Sequence, residues 1–165
     1  MSARVATVCR CRLDGRRLFF VWLGGTTAPD RVAATKSARI RGFVSELEAR
    51  RFAKAASLHV EKKVVRYDFD RVASWCATAT AKDVDCNFVN NAWNFFIDVR
   101  AVGACAAFDR ADRKATKCYD KVFWGLNLPA ITPEGKSYEP VWRRAEIKLM
   151  KDVLRAGLDN LRSRL

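Results

Sequence analysis

The sequence has 165 residues, of which 50% are hydrophobic and 30% charged, and this balance predicts one folded domain over residues 1–165 rather than a disordered chain. No apolar run reaches the roughly 18 residues of a transmembrane helix, and arginines interrupt the N-terminal stretch where a signal peptide would have its apolar core. We therefore expect a cytoplasmic protein with no membrane partner. The formal net charge is +13, and residues 1–66 carry most of it, with 15 Lys and Arg against 5 Asp and Glu. This uneven charge predicts attraction to an acidic partner.

The first half of the chain has the pattern of a small sheet with one helix. Residues 3–23 read as a β-hairpin whose tight turn is Asp14-Gly15, a dipeptide that accepts positive φ angles. Residues 38–43 and 64–67 are predicted as a third and a fourth strand. Between them, Ser45 and Glu48 form a capping-box pattern that opens a helix over about 45–57. Its predicted inward-facing residues are Leu47, Phe52, Ala55 and Ala56.

The second half is predicted to be helical. Four segments have helical spacing of apolar residues, and an Asp is placed to cap each of the first three. They are a short helix after Asp68 or Asp70, a central helix over Asp85–Gly103, a helix over 112–124 and a last helix over 143–163. An irregular stretch precedes the last helix, and we expect Leu126, Leu128, Ile131 and Tyr138 to pack it against the body. The fold class is therefore α+β: a small N-terminal antiparallel sheet of three to four strands with one helix, then a helical half of about four helices.

Catalytic chemistry finds little support in the sequence. A nucleophilic triad needs a base beside the nucleophile, and the only imidazole is that of His59. We interpret His59 as a residue just past the end of a helix, where it interacts favourably with the helix dipole. The carboxylate pairs Asp68/Asp70 and Asp109/Asp112 could do acid–base work or hold a metal. Both stand at predicted helix starts, where capping explains them. We expect no enzyme activity and no cofactor.

The six cysteines contain no Cys-x-x-Cys pair. A zinc site built from Cys9, Cys11 and two distant cysteines is an open alternative. The interpretation that the sequence favours is that most of the cysteines are small buried apolar residues, with no metal bound.

A polar stripe interrupts the apolar central helix. Asn90, Asn94 and Asp98 are spaced four residues apart, so they share one helix face. Two interpretations are open: a buried hydrogen-bond network, or a surface that contacts a partner. Aromatic residues near the irregular stretch are candidate anchors for a partner protein, because interfaces are rich in Trp and Tyr. They are Trp124, Tyr138 and Trp142.

A second candidate surface is basic. Arginines cluster on the predicted hairpin and the third strand, interleaved with aromatic residues, and a basic sheet with aromatics can hold single-stranded nucleic acid. The candidate nucleic-acid-binding residues are Arg10, Arg12, Arg16, Arg17, Arg39 and Arg41. An ordinary solvated basic surface is the other interpretation.

The order of motifs resembles a known family. GFVSELEA at 42–49, YDFD at 67–70, DCNFVNNAWNFF at 85–96 and YDKVFWGLNLPAITPEGKSYEPVW at 119–142 look like segments of bacterial immunity proteins encoded beside polymorphic or contact-dependent toxins. The resemblance implies a non-enzymatic module that binds and neutralises a cognate toxin domain. Its motifs are packing and turn patterns, so they carry over no toxin-contact residue. Immunity proteins that block nucleases are often acidic, and the positive charge of this chain departs from that pattern. A basic immunity protein would need an acidic patch on its toxin, or a mainly apolar and hydrogen-bonded interface. The alternative function is nucleic-acid binding by the basic sheet.

Overall fold

The computed structural model describes residues 4–25, 29–100 and 112–165. The N-terminal half contains a four-stranded sheet with the strand order β3–β2–β1–β4. Its strands are β1 (Val5–Leu13), β2 (Arg16–Gly24), β3 (Arg31–Val32) and β4 (His59–Asp68). The predicted hairpin is confirmed: β1 and β2 pair antiparallel, and Asp14 and Gly15 form the turn with φ angles of 51° and 72°.

The sheet is mixed, so the prediction of a purely antiparallel sheet is wrong. β4 pairs with β1 in parallel, with Arg10 beside Arg66 and Cys11 beside Tyr67. Parallel neighbours need a crossover connection, and helix α1 (Glu46–Ala55) lies on the connection between β3 and β4. β4 begins at His59, which is therefore an exposed strand residue and not the end of a helix.

The predicted third strand at 38–43 is only partly formed. Within that range Ile40 and Phe43 make isolated bridges, to Ala34 and Phe19 respectively, whereas the third strand itself is β3. The backbone N–H of Ile40 also donates to the carbonyl of Arg164 at 2.8 Å. The end of the chain therefore supplies a partner for this segment in place of a regular strand.

Helix α1 starts at the predicted cap and packs on the sheet through small residues. Ser45 Oγ accepts a hydrogen bond from the backbone N–H of Glu48 at 3.2 Å. Ala49 and Ala53 are fully buried, because their short side chains let the helix approach the strands closely. Three residues predicted to face inward are exposed instead: Leu47, Ala55 and Ala56.

The second half contains the four predicted helices. They are α2 (Phe69–Thr78), α3 (Cys86–Arg100), α4 (Arg113–Trp124) and α5 (Arg144–Arg164), with a short 3₁₀ turn at Ala81–Asp83. Asp68, Asp85 and Asp112 accept hydrogen bonds from first-turn N–H groups, as the sequence predicted. The expected extension of the central helix to Gly103 lies outside the described residues. Within the described ranges, no helix is both long enough and apolar enough to cross a membrane.

The sheet separates two apolar clusters. The smaller cluster joins α1 to one face of β1 and β2, around Val8 and Val21. The larger one packs the other face against the C-terminal helices, around Phe20, Phe95 and Phe96. α5 docks on α3 at Gly157, where a Cβ would lie 2.4 Å from the Phe96 ring. α3 also contacts α4 and the sheet, so it is the central helix of the α+β fold.

Candidate binding surfaces

Two residues of the polar stripe on α3 are bonded within the protein. Asp98 Oδ2 accepts a hydrogen bond from Trp22 Nε1 of β2 at 2.7 Å. Asn94 Oδ1 accepts one from the hydroxyl of Tyr119 on α4 at 2.8 Å. Asn90 is 9% exposed, and its Oδ1 has no hydrogen-bond partner among the described residues. Asp98 and Asn94 thus tie α3 to the sheet and to α4 through two separate hydrogen bonds, and Asn90 takes part in neither.

The surroundings of Asp98 disfavour the ionised form of its carboxyl group. Burial raises the pKa of its carboxyl from 3.8 to about 6, the Trp22 hydrogen bond lowers it, and the charge of Asp30 raises it further. The folded protein therefore favours the protonated form of Asp98 more than an unfolded chain does.

Most of the exposed large hydrophobic side chains fall in one segment, which we call the exposed loop (residues 124–141). Five of the eight such residues in the described part of the chain belong to it: Trp124, Leu128, Ile131, Tyr138 and Val141. Two of them, Trp124 and Tyr138, are predicted anchors, and they are 51% and 43% exposed. The expectation that Leu128, Ile131 and Tyr138 pack the loop against the body is wrong, because all three side chains face solvent; Leu126 is partly buried.

Asn127 holds the exposed loop in shape. It adopts a left-handed conformation with φ of 49°, one that Asn tolerates better than most residues. Its Oδ1 accepts from the backbone N–H of Tyr138 at 2.6 Å, and its Nδ2 donates to the carbonyl of Tyr138 at 3.1 Å. One side-chain amide therefore closes the loop between residues 127 and 138. The apolar side chains between them are presented on a backbone that is already ordered.

The third predicted anchor, Trp142, is half-buried against the larger core. Lys121 Nζ lies 4.8 Å from the centre of its ring and makes a 2.8 Å ion pair with Glu146. Because its ring is covered by Lys121 and the core, Trp142 secures the end of the exposed loop to α4 and α5.

Five arginines line one cavity of about 720 Å³, which we call the arginine cleft. Arg10, Arg12 and Arg17 come from the hairpin, Arg66 from β4 and Arg71 from α2. The cleft passes the junction of β4 and α2, where Asp68 lines it, and reaches the start of α3, where Asp85, Asn87 and Asn91 line it.

The structure divides the six predicted nucleic-acid-binding arginines. Arg10, Arg12 and Arg17 line the arginine cleft, whereas Arg16 and Arg41 line a separate hollow beside the C-terminal residue. Arg39 is exposed and lines neither. Arg66, Arg71, Asn87 and Asn91 were not predicted as part of this basic surface. Arg66 joins Arg10 only through the parallel pairing of β4 with β1, which no local signal in the sequence reveals.

Few of the cleft arginines are neutralised. Arg12 Nε makes a 3.0 Å ion pair with Asp70, whose carboxylate also accepts the N–H groups of the hairpin turn. The guanidinium of Arg71 lies 4.4 Å from the centre of the Phe88 ring. The side chains of Arg10, Arg17 and Arg66 make no ion pair or hydrogen bond with another described residue. The five arginines outnumber the two carboxylates that line the cleft, Asp68 and Asp85, and the Asp70 partner of Arg12, so the cleft has a surplus of positive charge.

Within the described residues, the cysteines and carboxylates considered as candidate site residues lie in the core or at the starts of helices. Cys9 and Cys11 are buried in the larger core, and burial raises the pKa of both thiols, that of Cys9 to about 12. Asp68 and Asp112 cap helices, while Asp109 lies outside the described residues. In the described ranges, no three His, Cys, Asp or Glu side chains come together as metal ligands.

Comparison with known proteins found no matching family model, no matching curated protein and no matching solved structure.

Proposed function

We propose that this protein is a non-enzymatic protein-binding module, and specifically an immunity protein that binds and neutralises a cognate toxin domain. The observation that carries the proposal is the exposed loop. Five large apolar side chains are exposed in this segment, and three of them, Leu128, Ile131 and Tyr138, lie on the stretch that the Asn127 amide closes. Apolar residues grouped in this way are typical of protein interaction sites. Because the loop is already ordered, binding loses less conformational entropy than it would with a mobile loop.

The charge of the loop indicates what kind of partner it fits. Residues 125–142 contain Glu134, Glu139 and Lys136 as their only charged side chains, although the whole chain carries +13. A nearly neutral segment in a basic protein matches an apolar, hydrogen-bonded interface better than a charge-driven one. The resemblance to immunity proteins, which spans residues 42–142, supports a toxin domain as the partner.

The test is co-expression with the C-terminal domain of a toxin encoded beside this gene, followed by affinity purification and titration calorimetry. Trp124→Ala and Tyr138→Ala should each weaken binding by about thirtyfold, the size expected of an interface hot spot. Both side chains are about half exposed, so neither change should unfold the protein. Leu47→Ala is the matched control, because Leu47 is 57% exposed on α1, away from the loop.

A result in which the toxin domain fails to co-purify would reject the immunity assignment. Equal weakening by Leu47→Ala and Trp124→Ala would show that the exposed loop is not the binding surface.

A further inference from the structure

The arginine cleft contains two like-charge pairs on neighbouring strands. Arg10 of β1 stands opposite Arg66 of β4, and Arg12 stands opposite Arg17 of β2. Opposed residues leave the same face of a sheet, and like charges placed in this way destabilise it. Only Arg12 has a carboxylate partner in the described part of the chain. An anion in the cleft would relieve this repulsion, so the arrangement favours an anionic ligand over an empty site.

The spacing of these arginines suits several linked anionic groups. Neighbouring strands lie about 4.8 Å apart, so the side chains from β4, β1 and β2 extend across about 10 Å of the sheet. A guanidinium presents parallel N–H donors that match two oxygens of one phosphate. More than one phosphate can therefore be bound at once, each by a different arginine.

The other end of the cleft offers amide groups for hydrogen bonding, beside the carboxylate of Asp85. Asn87 and Asn91 lie one turn apart on α3, and both side chains are exposed within the lining. Each amide has a donor and an acceptor, the combination that pairs with the edge of a nucleobase. The volume of about 720 Å³ falls in the range of about 300–1,000 Å³ typical of small-molecule sites.

We propose that the arginine cleft binds a nucleotide carrying two or more phosphates, with the arginines on the phosphates and the two Asn amides on the base. A strand of nucleic acid has the same chemistry, but it needs a row of exposed rings for successive bases. Of the aromatic residues lining the cleft, Phe69 is fully buried, and Tyr67 and Phe88 are only partly exposed. The compact ligand is the better match. This proposal does not depend on the exposed loop or on the proposed function.

Titration calorimetry at low salt, on the full chain, tests it with ADP, ATP and GTP as probes. Arg10→Gln and Arg66→Gln should each weaken nucleotide binding at least about tenfold, since each removes charge-assisted hydrogen bonds. Arg113→Gln, which removes the same charge from an exposed position outside the cleft, should change binding less than about twofold. Without nucleotide, Arg66→Gln should unfold at a temperature no lower than the unchanged protein, because it removes a like-charge pair. That measurement separates loss of the site from loss of the fold.

Two comparison probes, a single-stranded oligothymidylate and a polyglutamate peptide, give the remaining outcomes. Nucleotide binding that depends on Arg10 and Arg66 and exceeds peptide binding supports the proposal. Binding of the oligonucleotide with none of the mononucleotides would overturn it in favour of a nucleic-acid strand. Equal binding of the peptide, equal loss in Arg113→Gln, or no binding of any nucleotide would also overturn it.

Discussion

Replacing Asp98 with Asn should stabilise this protein at neutral pH. In the folded state burial raises the pKa of Asp98 from 3.8 to about 6, despite the hydrogen bond from Trp22. Between those two pH values the folded protein holds a proton that the unfolded chain has lost, so the free energy of unfolding falls as pH rises. Above about pH 6 both states are ionised and the full cost of the buried charge remains. An Asn at this position is uncharged, and its side-chain oxygen can still accept from Trp22 Nε1.

The size of the effect follows from the shift. A change of about two pKa units corresponds to about 3 kcal/mol. Asp98 is only half-buried, and solvent screens a group in that position. We therefore expect Asp98→Asn to raise the free energy of unfolding by about 1–2 kcal/mol at pH 7.

Urea unfolding of both proteins at pH 4, 5, 6 and 7 measures this difference. Subtracting the two curves removes the contribution of other carboxyls, such as Asp14 and Glu146, whose pKa values are lowered in the folded protein. The difference should be small at pH 4 and grow as pH rises to 6. A difference that stays constant with pH, or an Asn variant that is less stable at pH 7, would refute the reasoning.

Two further predictions concern packing and the exposed loop. Gly157→Ala should lower the free energy of unfolding by about 1–3 kcal/mol, because the new Cβ would lie 2.4 Å from the Phe96 ring. Urea unfolding measures this change. An unchanged urea midpoint would mean that α3 and α5 do not approach this closely. Asn127→Ala should lower the free energy of unfolding by about 1–2 kcal/mol and speed amide exchange at Tyr138, because it removes both hydrogen bonds that close the loop and strains the left-handed backbone. Exchange at Tyr138 as slow as in the unchanged protein would contradict the assigned role of the Asn127 amide.

Local signals in the sequence were enough to predict the hairpin and the C-terminal helices. The Asp14-Gly15 turn sets its own φ angles, and Asp85 and Asp112 cap their helices through groups two or three residues away. Such contacts do not depend on the rest of the fold. The helical spacing around Phe96 likewise predicted α3 as the central helix.

Features that depend on distant contacts were not predictable. The parallel pairing of β4 joins residues more than fifty positions apart, so a short apolar run such as 64–67 does not reveal its direction. The packing of α1 through Ala49 and Ala53 left Leu47 in solvent, although Phe52 packs inward as predicted. In both cases tertiary packing outweighed the local pattern.

The candidate surfaces show the same division. Trp124 and Tyr138 were identifiable as candidate anchors because large aromatics beside an irregular stretch often serve interfaces, and both side chains are exposed. The arginine cleft was only half identifiable, since Arg66 joins Arg10 through the parallel pairing and Arg71 is brought in by α2. A list of basic residues in sequence order could not separate them from Arg39.

The most direct test of the proposed function is a hydrogen–deuterium exchange footprint of the protein with and without the C-terminal domain of a toxin encoded beside its gene. Binding through the exposed loop predicts slower exchange concentrated at residues 124–141, with the strands around Arg10 and Arg66 unchanged. Protection centred on the arginine cleft, or no change in exchange anywhere, would contradict the account.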